Sequence, residues 1–184
     1  MGSLGKEYLT TVISRVKYYK SLADKTFDQL EEKDFHFTPS SESNSIAVII
    51  QHMSGNMLSR WTNFLTEDGD KEWRDRDGEF SVKDLSKPQL IDLWEQGWTC
   101  FIDSLQSLKE DDLLKTVYIR KEPLTVIDAI NRQLAHYPHH IGQILYAGKI
   151  IRNESWKSLS IAKGQSENYN KSDTVKDPAK NYRQ

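Results

Sequence analysis

Four segments of this chain carry apolar residues at alternating intervals of three and four, the period of one face of an α-helix. The first runs through Tyr8, Val12, Val16, Tyr19, Ala23, Phe27 and Leu30, and the second through Ile46, Ile49, Ile50, Met53, Met57, Trp61 and Phe64. The third has Leu90, Leu93, Trp94, Gly97, Phe101, Leu105 and Leu108, and the fourth Ile127, Ile130, Leu134, Tyr137, Ile141, Ile144, Gly148 and Ile151. A helix with one apolar stripe must bury it against a neighbour. Four stripes therefore predict an all-α fold, an antiparallel four-helix bundle with helices near 6–32, 43–66, 87–108 and 125–152.

The punctuation between stripes agrees. Pro39 cannot continue the first helix and holds Thr38 extended, and Ser43, Asn44 or Ser45 can cap the second. Ser81-Val-Lys-Asp84 has capping-box spacing ahead of the third helix, Pro88 suits a first turn, and Thr125-Val-Ile-Asp128 opens the fourth. Thr66 to Phe80 holds two Asp-Gly pairs and dense charge, so it reads as a loop anchored by Trp73 and Phe80. Thr116-Val-Tyr-Ile-Arg120 is β-prone but short. The 184 residues suffice for one core, which places a single domain over 1–152 and a polar extension over 153–184. Trp156, Leu159 and Ile161 are expected to dock that extension, and Lys171 to Gln184 is too polar to be expected to order itself.

Charge narrows the partners. Lysine plus arginine number 25 against 27 acids, a net charge of −2, and no basic run offers a local field. Nucleic acid and anionic membranes are therefore disfavoured. No stretch of about 18 apolar residues is present to span a bilayer. Cys100 is the single cysteine, so no internal disulfide forms, and by default it is a small core residue. The first residues lack an apolar signal region, and the expected location is cytoplasmic.

Five histidines occur, and their placement is uneven. His136 and His140 are four residues apart within Leu134-Ala-His-Tyr-Pro-His-His-Ile-Gly-Gln-Ile144, so they share a helix face at about 5–6 Å between Cβ atoms, a bidentate clamp for a transition metal. His52 borders the second stripe as they border the fourth, which makes it the natural third ligand. His139 points elsewhere and is expected in solvent; His36 lies in a remote turn. Pro138, between the two paired histidines, deletes a helical hydrogen bond at a cost of about 3 kcal/mol and predicts a kink. Three neutral imidazoles leave one coordination position open for water or substrate. Zinc, nickel and iron all suit such a set. Without a metal, the same histidines would be an edge-of-core pair bonded to neighbours. By helical projection Asn56 and Gln143 are the nearest polar side chains, suited to orienting a ligand or substrate. Arg60 continues their row, with snorkelling into water as its alternative role. Arg74 and Arg76 reach the site only if the 66–80 loop folds back over the helices.

His52 on the second helix, with His136-x3-His140-x-Gly-Gln-Ile on the fourth, resembles the DinB-like (DinB/YfiT) superfamily of metal-binding four-helix bundles. Gly55-Asn-Met57, Ser59-Arg-Trp61, Asp68-Gly-Asp-Lys71, Trp73-Arg74, Arg76-Asp-Gly-Glu-Phe80 and Leu159-Ser-Ile-Ala-Lys-Gly-Gln-Ser166 resemble one branch of it, found in Bacillus-type bacteria. The resemblance implies a divalent metal held by His52, His136 and His140, and a homodimer. For a small-molecule substrate it implies transfer or isomerisation with a low-molecular-weight thiol such as bacillithiol. Fold does not carry chemistry with it. Three classes stay open: a metal-dependent thiol S-transferase or hydrolase with a pocket lined by Asn56, Arg60 and Gln143, a non-enzymatic metal-binding stress-response protein, and a metal-free helical scaffold.

Overall fold

The computed structural model describes residues 2–183, and most of the chain is helical. The four stripes become α1 (Leu4–Phe27), α2 (Ile46–Trp61), α3 (Lys87–Ser107) and α4 (Val126–Arg152). Each begins on a side-chain cap, from Ser3, Ser45, Ser86 and Thr125 respectively, whose hydroxyl accepts a first-turn backbone N–H and satisfies a donor the helix cannot.

The boundaries differ from expectation where local chemistry outcompetes the stripe. The cap of α3 is Ser86, not Ser81, because Ser86-Lys-Pro-Gln89 forms the complete reciprocal box with proline in the first turn. The Asp84 carboxylate is one methylene shorter than the glutamate or glutamine that completes such a box. Helix α1 stops at Phe27 and a separate 3₁₀ turn, Glu32–His36, seats Phe35 in the core. Helix α2 stops at Trp61, and two residues later Asn63 takes a left-handed φ of 51°. Pro138 does not break α4, which is one helix of 27 residues. The β-prone run does find a partner: β1 (Thr116–Ile119) pairs antiparallel with β2 (Glu122–Thr125), Thr116 opposite Thr125, and leads directly into α4.

Helix α2 packs most extensively on α3 and α1 on α4, with further α1–α3 and α2–α4 contacts. Gly97 permits a close approach of α2 and α3, since a Cβ there would lie 2.9 Å from the Ser54 Cα. Aromatic side chains fill the centre: Trp94, Trp98, Phe101 and Tyr137 are fully buried, and Phe101 meets Tyr137 edge-on at 5.1 Å. Complete burial of each such side chain contributes about 1.5–3 kcal/mol. The buried polar tips of Trp94, Trp61 and Tyr137 find partners, whereas Trp98 Nε1 has none among the described residues. Trp94 Nε1 donates to Asp24, while Trp61 Nε1 donates to the Tyr137 hydroxyl, which donates in turn to Asn56 Oδ1. The last chain ties α2 to α4 beside the histidines.

The extension docks differently from expectation. Trp156 and Leu159 are partly buried, but Ile161 is exposed. The stretch from Lys171 onward, expected to stay unordered, holds a 3₁₀ turn at Pro178–Tyr182 against α1, and ahead of it lies a short helix, α5 (Ser166–Lys171). Arg15 grips Asp177 through two hydrogen bonds of 2.9 and 2.8 Å, and Ala179 is buried. Gln184 lies outside the described residues. Among the described residues no helix is long and apolar enough to cross a membrane.

Candidate metal centre

His52 on α2 and His136 and His140 on α4 converge, with one ring nitrogen of each lying within 4.8 Å of the others. The His136 Nε2 is 3.1 Å from that of His140 and 3.5 Å from that of His52. Two nitrogens bound at 2.0–2.1 Å to one tetrahedral ion are about 3.3 Å apart, so both spacings suit a common cation.

The opposite nitrogens each face a side-chain oxygen. His52 Nδ1 lies 3.0 Å from Glu79 Oε2. Burial would raise the Glu79 carboxyl, but hydrogen bonds from Arg74 and His52 outweigh it and hold the group below the ordinary carboxylate range. An ionised carboxylate only accepts, so a proton stands on His52 Nδ1, facing Glu79, while Nε2 turns to the other two histidines. At His140, Nδ1 donates to Gln143 Oε1 at 2.8 Å, and the Gln143 amide is oriented because its NH2 faces His139 Nε2 at 3.3 Å. His136 Nδ1 faces Gln133 Oε1 at 3.3 Å. Burial pushes His136 down to about 4, helped by His140 and His52. Burial also lowers His140, despite the Gln143 hydrogen bond acting the other way. Those two rings are neutral at neutral pH, as metal ligands must be. The three histidines thus converge through one ring nitrogen each, with Nδ1 of every ring facing a side-chain oxygen, the outer-shell pattern of metal-binding histidines.

Glu79 reaches α2 because the 66–80 loop does fold back over the helices. Ser59 Oγ donates to the Gly69 carbonyl, Gly69 N–H donates to the Tyr118 carbonyl, and Arg74 clasps both Glu79 oxygens at 2.7 and 2.8 Å. Gly55 makes room: a Cβ there would stand 2.3 Å from Glu79 Oε1. Trp73 is not an anchor, being 61% exposed. Phe80 is also largely exposed, yet its ring lies over His52 at 4.6 Å.

A family model described as "Protein of unknown function (DUF1572)" matches residues 3–165. The chain belongs to that family. No curated protein and no solved structure matches it. The family match takes in α1 through α4 and both halves of the histidine cluster.

In this family member a cavity of about 400 Å³ opens over the histidines, with Asn56 and Arg60 in its wall. Gln143 is not there; it sits behind His140 and orients it. Asn56 spends Oδ1 on Tyr137, so it offers a ligand its amide N–H groups. Arg60 does not snorkel. It is buried and bonds the Gly69 carbonyl and Asp70, bracing the folded-back loop. Arg74 and Arg76 do reach the cavity. His139 is exposed, and His36 is bonded to the Leu85 carbonyl, so both stand apart. Cys100 is half-buried against Thr62.

Glu79, Gln133, Arg120 and Arg132 escaped the sequence reading. Glu79 is one of many acids in a charged loop; the available signal was Gly55, a helix-interior glycine one turn from His52, whose cost of up to about 1 kcal/mol implies a close approach. Gln133 had a readable signal, since it stands three residues before His136 as Gln143 stands three after His140. Arg120 is brought in by the hairpin and had none.

Proposed function

We propose that this chain is a divalent-metal protein in which Nε2 of His52, His136 and His140 hold the ion, within an antiparallel four-helix bundle of the DinB/YfiT type. The observation that carries the reading is the convergence of the three Nε2 atoms while Glu79, Gln133 and Gln143 occupy every Nδ1. A zinc, nickel or iron ion would supply Lewis acidity there, drawing the pKa of a bound water or thiol toward neutrality. The protein's own part is to orient and enclose. Glu79, held by Arg74 and admitted by Gly55, fixes the His52 ring. Phe80 covers one side of that ring, and the Asn56 amide donates into the cavity beside it. These features support transfer of a low-molecular-weight thiol such as bacillithiol to an electrophilic small molecule, the thiolate sulfur displacing a leaving group. A homodimer belongs to the same reading, supported by Tyr146 and Ile150 standing exposed on α4.

The test is elemental analysis of untagged protein, followed by a thiol-transfer screen of the metal-loaded form. Bound metal with thiol-dependent turnover that His52→Ala abolishes supports the enzyme. Bound metal without turnover on any thiol substrate leaves a metal-binding protein, and no metal at all overturns the reading.

A further inference from the structure

We infer that the cavity over the histidines is an anion site, and that its ligand is a small acid carrying at least two negative groups, phosphate or carboxylate. The inference deepens the metal-centre reading by naming the substrate class, but it rests on the rim of the cavity and not on the floor.

Five arginines face that cavity: Arg60 from α2, Arg74 and Arg76 from the loop, Arg120 from the hairpin turn and Arg132 from α4. No lysine and no carboxylate lines it. Two carboxylates behind the wall offset part of this charge, Glu79 on Arg74 and Asp70 shared by Arg60 and Arg120. Five cations against two anions leave three positive charges in excess, inside a chain whose net charge is −2. Among the described residues Arg76 and Arg132 are in no ion pair, and both are exposed. Crowding like charges around a concave wall opposes folding, so the collar is no stability device.

The hairpin supplies an independent observation. Its two turn residues, Arg120 and Lys121, hold left-handed φ values of 56° and 65°, where Asn-Gly is the low-cost choice and each non-glycine residue costs about 1–2 kcal/mol. The Asp68 carboxylate holds this turn by accepting the Arg120 N–H at 2.9 Å and the Lys121 N–H at 2.7 Å. A relaxed Asn-Gly turn would take Arg120 off the rim, so the strain keeps a guanidinium where an anion would need it. Guanidinium forks match carboxylate and phosphate oxygens two at a time, which a lysine collar would not. A volume of about 400 Å³ holds a metabolite and not a polymer.

The test is calorimetric titration of the metal-loaded full chain at low ionic strength with pyrophosphate, citrate and inorganic phosphate, with glycerol as the neutral control. Saturable binding of a multivalent anion is expected, weakening with added salt. Arg76→Gln and Arg132→Gln should each weaken it roughly tenfold, with metal content and thermal midpoint unchanged, because neither side chain is buried or paired. Arg183→Gln, which sits against Glu7 on α1, should bind as the parent does. Pyrophosphate binding more tightly than citrate would assign a phosphate ligand, and the reverse order a polycarboxylate. The inference is overturned if none of the anions saturates the protein by 10 mM, or if Arg76→Gln and Arg132→Gln bind as tightly as the parent, which would place the anion on the metal alone. Metal content is read separately in every sample. A protein without metal that still binds anions through these arginines therefore sinks the metal-centre reading and keeps this one.

Discussion

Helix α2 and helix α4 bring histidines to the same point by different means. In α2, fourteen of sixteen residues are buried, whereas in α4 eight of twenty-seven are. His52 is therefore buried apart from the side that meets the cavity, and its ring is set by Glu79, which arrives from the folded-back loop. His136 and His140 lie at the open edge, set by glutamines three residues away on their own helix. One half of the centre is thus assembled by tertiary structure and the other is complete once a helix forms. Damage to the loop should cost the first half and spare the second.

The largest effect expected from that asymmetry is at Glu79. Glu79→Ala frees the His52 ring and strands Arg74, lowering metal affinity by about 10- to 100-fold and stability by about 3 kcal/mol, the low end for a broken buried pair because the cavity admits water. Competition with a chelator and urea unfolding read the two effects. Gly55→Ala adds a methyl where Glu79 Oε1 now lies, and we expect it to lose about tenfold in metal affinity through the same ring, as an outer-shell loss does. Were Gly55→Ala silent, the close approach of the loop would be wrong. Gln133→Ala and Gln143→Ala should each cost less than about tenfold, since the helix already aims their histidines. If either matched Glu79→Ala, the division between the two halves would fail.

The smallest expected effect is on pH dependence without metal. Burial holds His136 at about 4, below its ordinary value of 6.5, and lowers His140 as well. The unfolded chain then takes up protons near pH 6.5 that the folded chain refuses until about pH 4, so stability is full above 6.5 and falls as pH drops through that window. Urea midpoints of metal-free protein should show the decline, and His136→Gln should flatten it.

The four helices were legible because burial repeats with the helical period, and a stripe such as Ile46, Ile49, Ile50, Met53 and Met57 carries that period in its letters. The pairing of His52 with His136 and His140 was legible for the same reason, each bordering a stripe. Glu79 was not, since a charged loop has no period and nothing local marks which of its acids returns to the core. Average polarity does not reveal the charge pairs, Arg15 with Asp177 and Arg183 with Glu7, that link the tail to α1. Trp61, Trp94 and Trp98 are absorbed by the core. Gly97 lets α2 and α3 close around them.

Metal stoichiometry and affinity of untagged protein, measured side by side for the parent and four single histidine variants, test the shared centre most directly. The parent should hold one ion per chain. His52→Ala, His136→Ala and His140→Ala should each lose most of it, a second removal should change little more because the ligands act as a unit, and His139→Ala should retain the full complement. His52→Ala binding metal as tightly as the parent would contradict a centre shared between α2 and α4.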